Sequence, residues 1–142
     1  MSLSSSQIRE QAFYLIFDKE FNSDLSNEDI LNLAYETDVI EKNQKCEKLF
    51  ITCCNNAEEI DDIINKYSVN RRFSRISKVA LAVLRIAVCE LKFFTKTPER
   101  VVISEAVILT KKYGGEEDYS FVNGILKSFV DDRKATNDSS GD

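Results

Sequence analysis

Three cations share one face of an apolar segment. In "SKVALAVLRIAVCELKFF", Lys78, Arg85 and Lys92 recur every seven residues, about two turns of helix, which aligns them on one side. The rest of that segment is apolar nearly all round, the pattern of a buried central helix. An arginine in its middle needs a carboxylate partner or an anionic ligand. On the residues alone, a structural salt bridge and a ligand contact at Arg85 stand level. Arg71, Arg72 and Arg75 lie just upstream, and a solvated face is the commoner meaning of such a run. The chemistry open to this segment is anion binding.

Other chemistries are poorly supplied. The chain has no histidine, which removes the Ser-His and Cys-His nucleophile systems. Cys46, Cys53, Cys54 and Cys89 include no CxxC pair, so neither a metal nor a cofactor is expected. They read as small buried apolar side chains, and disulfides are not expected without a secretory signal. Glu58, Glu59, Asp61 and Asp62 read as a solvated face. "YGGEED" lacks the lysine and hydroxyl of a P-loop. Phe121 precedes an apolar stripe by one residue, which puts its ring at the edge of the core. The core reading comes first there, although a partly exposed aromatic can also stack on a base.

The elements that must position these residues are helical. In 142 residues there are one proline and four glycines, too few for the turns of a β-rich fold. Apolar residues make up 43%, enough for one domain with a real core. The net charge of −5 is unevenly spread. Residues 66–96 hold 8 of the 19 Lys/Arg with Glu90 as their one acid, whereas residues 1–65 hold 14 of the 24 Asp/Glu. A polyanion responds to that local patch, because salt screens distant charge. The longest apolar region, Val79 to Leu91, is too short to span a bilayer, and a cytoplasmic protein is expected.

Ser4 and Gln7 fit a capping box for a first helix, where Phe13, Phe17 and Phe21 are spaced i, i+4. A second helix follows Ser26 or Asn27, and a third is expected from about Val39 to Tyr67. After the buried helix, Thr97 caps another with Pro98 at its first position; it stops at Gly114 in the left-handed conformation. Glu116, Glu117 and Asp118 suit the positive start of a last helix, expected from about Asp118 to Arg133. Gly124 inside it implies close contact with a neighbouring helix, because glycine there is about 1 kcal/mol worse than alanine. Residues 1–5 and 134–142 are expected to be tails.

Four blocks, "IREQAFYLIF", "AVLRIAVCEL", "VVISEAVILTKKYGG" and "FVNGIL", resemble in order and spacing the bacterial NusB family of transcription antitermination factors. "NRRFSRIS" resembles that family's central linker, and the resemblance covers roughly Gln7 to Val130. It implies an all-α single domain of about seven helices, an N-terminal three-helix bundle packed on a C-terminal bundle. It implies no enzymatic activity. It implies binding of boxA RNA together with NusE, a protein of the small ribosomal subunit, in a complex with RNA polymerase and other Nus factors. Matched by motif, Arg9, Phe17, Arg85, Asp118 and Phe121 would form the RNA site. The arginines would meet phosphate or base edges, the rings would stack, and Asp118 would accept from a base amino group. Two departures stand out: Ser4, Ser5 and Ser6 occupy a start that is often arginine-rich in the family, and Ser104 replaces a usual asparagine. A homodimer covering the RNA face, as in some members, stays open. So does a rival reading, a helical scaffold that binds proteins and little or no RNA.

Overall fold

The computed structural model describes residues 3–68 and 75–140, with side chains through residue 136. Arg71 and Arg72 lie outside the described residues. Seven helices and no strand occur among the described residues: α1 (Ser5–Phe21), α2 (Asn27–Glu36), α3 (Gln44–Asn55), α4 (Ala57–Tyr67), α5 (Lys78–Phe93), α6 (Glu99–Tyr113) and α7 (Glu116–Ser140). α1, α2 and α3 pack on one another, and α4 to α7 form a second bundle. α5 touches α1, α3, α4, α6 and α7, and 11 of its 16 residues are buried, which makes it the shared axis of both bundles. None of these helices is long and apolar enough to cross a membrane.

Local sequence chemistry sets most boundaries. At α1, the Ser4 hydroxyl accepts from the Gln7 N–H at 3.1 Å and the Gln7 side-chain oxygen Oε1 accepts from the Ser4 N–H at 2.8 Å, the expected reciprocal cap. Ser26 and Ser77 cap α2 and α5 from one side only, each hydroxyl accepting from the N–H three residues on. The expected third helix is instead two helices preceded by a non-helical lead-in. Asp38 turns the chain with φ 56°, and the Asn43 side chain accepts from the N–H groups of Lys45 and Cys46 to start α3. Asn56 then separates α3 from α4; its side-chain amide donates to the Thr52 carbonyl at 2.8 Å. Asparagine offers the backbone this alternative to a continuous ladder.

The last two helices also differ from expectation. Pro98 is the cap of α6 rather than its first helical residue; its carbonyl accepts from the N–H groups of Val101 and Val102. α7 begins at Glu116 and continues past Arg133 to Ser140, because neither glycine nor proline interrupts residues 125–140. Gly114 is extended, at φ −117° and ψ −167°, not left-handed. Its need is for space. A Cβ there would lie 2.9 Å from Asp118 Oδ2, 3.1 Å from the Thr110 carbonyl oxygen and 3.3 Å from Val79 Cγ1. Gly124 shows the reverse: a Cβ there would meet nothing within 4 Å, so no neighbouring helix packs closely against it.

Candidate nucleic-acid interface

The face is built where α1 runs antiparallel to α5. Arg9 near the start of α1 meets Glu90 near the end of α5, and Glu20 near the end of α1 meets Lys78 and Arg85. Arg85 is fully engaged. Its Nε and Nη2 donate to the two Asp61 carboxylate oxygens at 2.9 and 3.0 Å, and its Nη1 donates to Glu20 at 2.7 Å. Burial works against the Arg85 charge, but the hydrogen bonds of Asp61 and Glu20 outweigh it and hold its pKa above the ordinary value. Burial likewise opposes the Glu20 charge, and the bonds from Arg85 and Lys78 hold its carboxyl below the usual range. Lys92 pairs with Glu59. The cationic stripe of α5 is thus matched by acids from α1 and α4. Yet the Arg85 and Glu20 side chains keep 17% and 26% of their exposure, so water and solutes reach this triad.

An aromatic row continues from the triad. The Phe17 ring lies 5.0 Å from Phe21 and 5.9 Å from Phe13, and Phe13 lies 5.1 Å from Tyr113. Phe13 is buried and Phe17 half-buried, while Phe21 and Tyr113 are exposed. Tyr113 ends α6 at the glycine turn. There Asp118 accepts from the Gly115 N–H at 3.2 Å, and the room left by Gly114 brings Val79 alongside. Phe121, one turn further along α7, is half-buried against the core. Through Glu20, which also meets Lys78, the Arg85 guanidinium lies towards the start of α5, and through Gly114 and Val79 so does Asp118.

Arg9 stands apart. It is two turns up α1 from Phe17, about 12 Å along the axis. Its Nε and Nη2 donate to Glu90 at 2.6 and 3.0 Å, and Glu105 lies 3.9 Å from its Nη1. Arg9 is only 7% exposed, so its fork is spent inside the protein.

The thiols offer no alternative chemistry. All four cysteines are free, and burial raises Cys46 to about 11 and Cys54 to about 12. The neighbouring Cys89 thiol and burial raise Cys53 further. No group of three or more metal-ligating side chains occurs among the described residues.

Comparison with known proteins decides the family: the NusB family's sequence model matches residues 6–131. The chain belongs to the NusB family. It is 39% identical over 125 residues to the transcription antitermination protein NusB of Clostridium botulinum, covering 86% of this chain and 94% of that protein. It is 42% identical over 123 residues to the NusB of Acetivibrio thermocellus, covering 86% and 85%. Among solved structures, the Thermotoga maritima (T. maritima) NusB aligns with a TM-score of 0.81 at 31% identity over 92% of this chain and 93% of that one. A NusB in a crystal structure with NusE and double-stranded RNA aligns with a TM-score of 0.77 at 28% identity, covering 87% and 93%.

Within this NusB-family fold, three partners were not assigned from sequence. Glu20 and Asp61 hold Arg85 from 65 and 24 residues away, and no local pattern links them. Tyr113 joins the aromatic row of α1 from another helix. Its signal was its place just before the glycine pair.

Proposed function

We propose that this chain acts as a transcription antitermination factor that binds boxA RNA together with NusE, at the end of α5 that carries Phe17, Arg85, Asp118 and Phe121. The observation that carries the reading is the reachable Arg85 triad beside an aromatic row, in a fold shared with a NusB that has been crystallised with NusE and RNA. A phosphate can take the place of Glu20 or Asp61 on the arginine fork, because guanidinium binds carboxylate and phosphate in the same two-pronged way. Phe17 and Phe121 offer ring faces or edges to bases, and Asp118 offers an acceptor to a base amino group. Arg9 serves by fixing α1 on α5, since its donors are on Glu90. The action is assembly with RNA polymerase and other Nus factors in the cytoplasm; no bond is made or broken.

NusE has a specific part in this reading. The first turn of α1 carries Ser5 and Ser6 where arginines are frequent in the family, and the α5 cations are already paired. Binding by this chain alone is therefore weak. A boxA titration with and without NusE tests the proposal. Affinity is expected to rise at least about tenfold with NusE, a coupling of roughly 1.4 kcal/mol. Failure to bind boxA in either condition would support the protein-binding scaffold instead.

A further inference from the structure

The far end of α5 carries a second cationic feature. A cleft of about 330 Å³ opens between the first turns of α1 and α3 and the end of α5; its lining includes Arg9, Lys45, Lys48, Glu90, Phe94 and Thr97. Glu90 is neutralised by Arg9 on the floor. Lys45 and Lys48 are exposed, and neither ammonium has a carboxylate partner among the described residues. This differs from Lys78, Lys92 and Lys112, each of which pairs with a glutamate. The cleft is thus a net positive site in a chain of net charge −5, and nearby charges dominate what a ligand meets.

Its shape and chemistry fit a nucleotide strand. Lys45 and Lys48 stand one turn apart on one helix face, about 5–6 Å between their Cβ atoms, a spacing of the order that separates neighbouring phosphates in a single strand. Phe94 is half-buried and supplies an apolar wall, and Ser5 and Thr97 add hydroxyls at the rim. Ser5 belongs to the turn of α1 that lacks arginines. The two α3 lysines face the same cleft from the opposite side, so they can supply the phosphate contacts that this turn does not. Fifteen residues of helix and cap separate Val79, beside the Asp118 turn, from Phe94. That is about 22 Å along the axis, a distance that a strand leaving the first site can cover.

We propose that this cleft is a second RNA subsite, in which Lys45 and Lys48 bind phosphates of nucleotides flanking the boxA core and Phe94 meets a flanking base. The proposal rests on the RNA-binding reading above and adds to it a site on α3. An acidic protein segment would meet the lysines equally well, but it would not respond to RNA length.

The test compares a boxA core RNA with the same core carrying flanking nucleotides on both sides, each titrated onto the full chain with NusE. The native chain and a Lys45→Ala/Lys48→Ala variant are measured at several salt concentrations, with helicity checked by circular dichroism. The flanked RNA is expected to bind the native chain about tenfold more tightly than the core. The variant loses that gain and keeps its affinity for the core. For the flanked RNA its slope of log K against log salt becomes shallower by about 1.4, the contribution of two phosphates on a single strand. A native chain that binds the core without any gain from the flanks overturns the subsite, as does a gain that survives in the variant. A native chain that binds neither RNA overturns the boxA reading itself.

Discussion

Arg9 and Arg85 lie on the same pair of helices and both meet carboxylates, yet their surroundings differ. Arg9 and Glu90 are nearly enclosed; their side chains are 9% and 7% exposed. Arg85 is held by two acids whose side chains keep 26% and 29% exposure. A closed pair cannot trade its partner without exposing an uncompensated charge to an apolar interior, so it serves as a structural pin. A pair that solvent still reaches can release its acids to water when another anion takes their place, at less cost than the enclosed pair. The residue type is identical and the enclosure differs; on the proposed reading that difference lets Arg85 rather than Arg9 meet phosphate.

The largest effect should come from breaking the closed end. Arg9→Ala or Glu90→Ala leaves a buried partner unpaired and is expected to lower stability by about 3–5 kcal/mol, read as a fall in the urea unfolding midpoint. If Arg9→Ala kept full stability and lost RNA affinity, the two ends would have to exchange roles.

Next is the open end. Arg85→Ala is expected to weaken boxA binding in the NusE complex by about 1–3 kcal/mol. Its stability should fall by no more than about 1 kcal/mol, since Glu20 and Asp61 can return to water. Circular dichroism and RNA titration on one sample separate these outcomes. Unfolding would make Arg85 a second pin.

The glycines sharpen the same contrast within the open end. Gly114→Ala forces a Cβ against the Thr110 carbonyl and Val79 and is expected to cost about 1–2 kcal/mol. Gly124→Ala enters open space and should stabilise α7 by about 0.5–1 kcal/mol. Thermal melts of both variants check the opposite signs.

The smallest effect is acid-dependent. The Glu20 pKa in the fold is lowered from 4.5, so its pairing favours the folded state fully above that value. That contribution fades as pH falls from 4.5 through the lowered folded value. Glu20→Gln should therefore be less stable than the native chain near neutrality, and the gap should close in acid. Urea melts across that range measure it; a gap independent of pH would mean that Glu20 acts by packing rather than by charge.

These contrasts also mark how far the sequence could be read. The caps at Ser4 and Ser26 depend on contacts three residues apart, so they were visible in the chain, Ser26 as one of two candidates. The apolar run of α5 and its three cations were visible for the same reason, and so was the two-bundle arrangement through the family resemblance. The acids that satisfy Arg85 come from α1 and α4, and their approach is a tertiary event. Arg9 gave no local sign of enclosure. Its partner did: Glu90 interrupts the apolar run, but the interruption alone does not name the cation that answers it. Asn56 is a modest helix residue, and whether it breaks a helix depends on what α3 and α4 pack against. Gly114 was expected for its backbone angles and is needed for its missing side chain, a distinction that only the positions of Thr110, Val79 and Asp118 reveal.

The central claim is that boxA RNA meets the end of the molecule where α5 begins. Backbone amide chemical shifts, followed while core boxA RNA is added to the labelled chain in complex with NusE, test it most directly. The account predicts the largest changes at Phe17, Arg85 and Asp118 to Phe121, with Arg9 and Glu90 nearly unmoved. Changes centred on α2, or a response at Arg9 with none at Arg85 and Asp118, would contradict it.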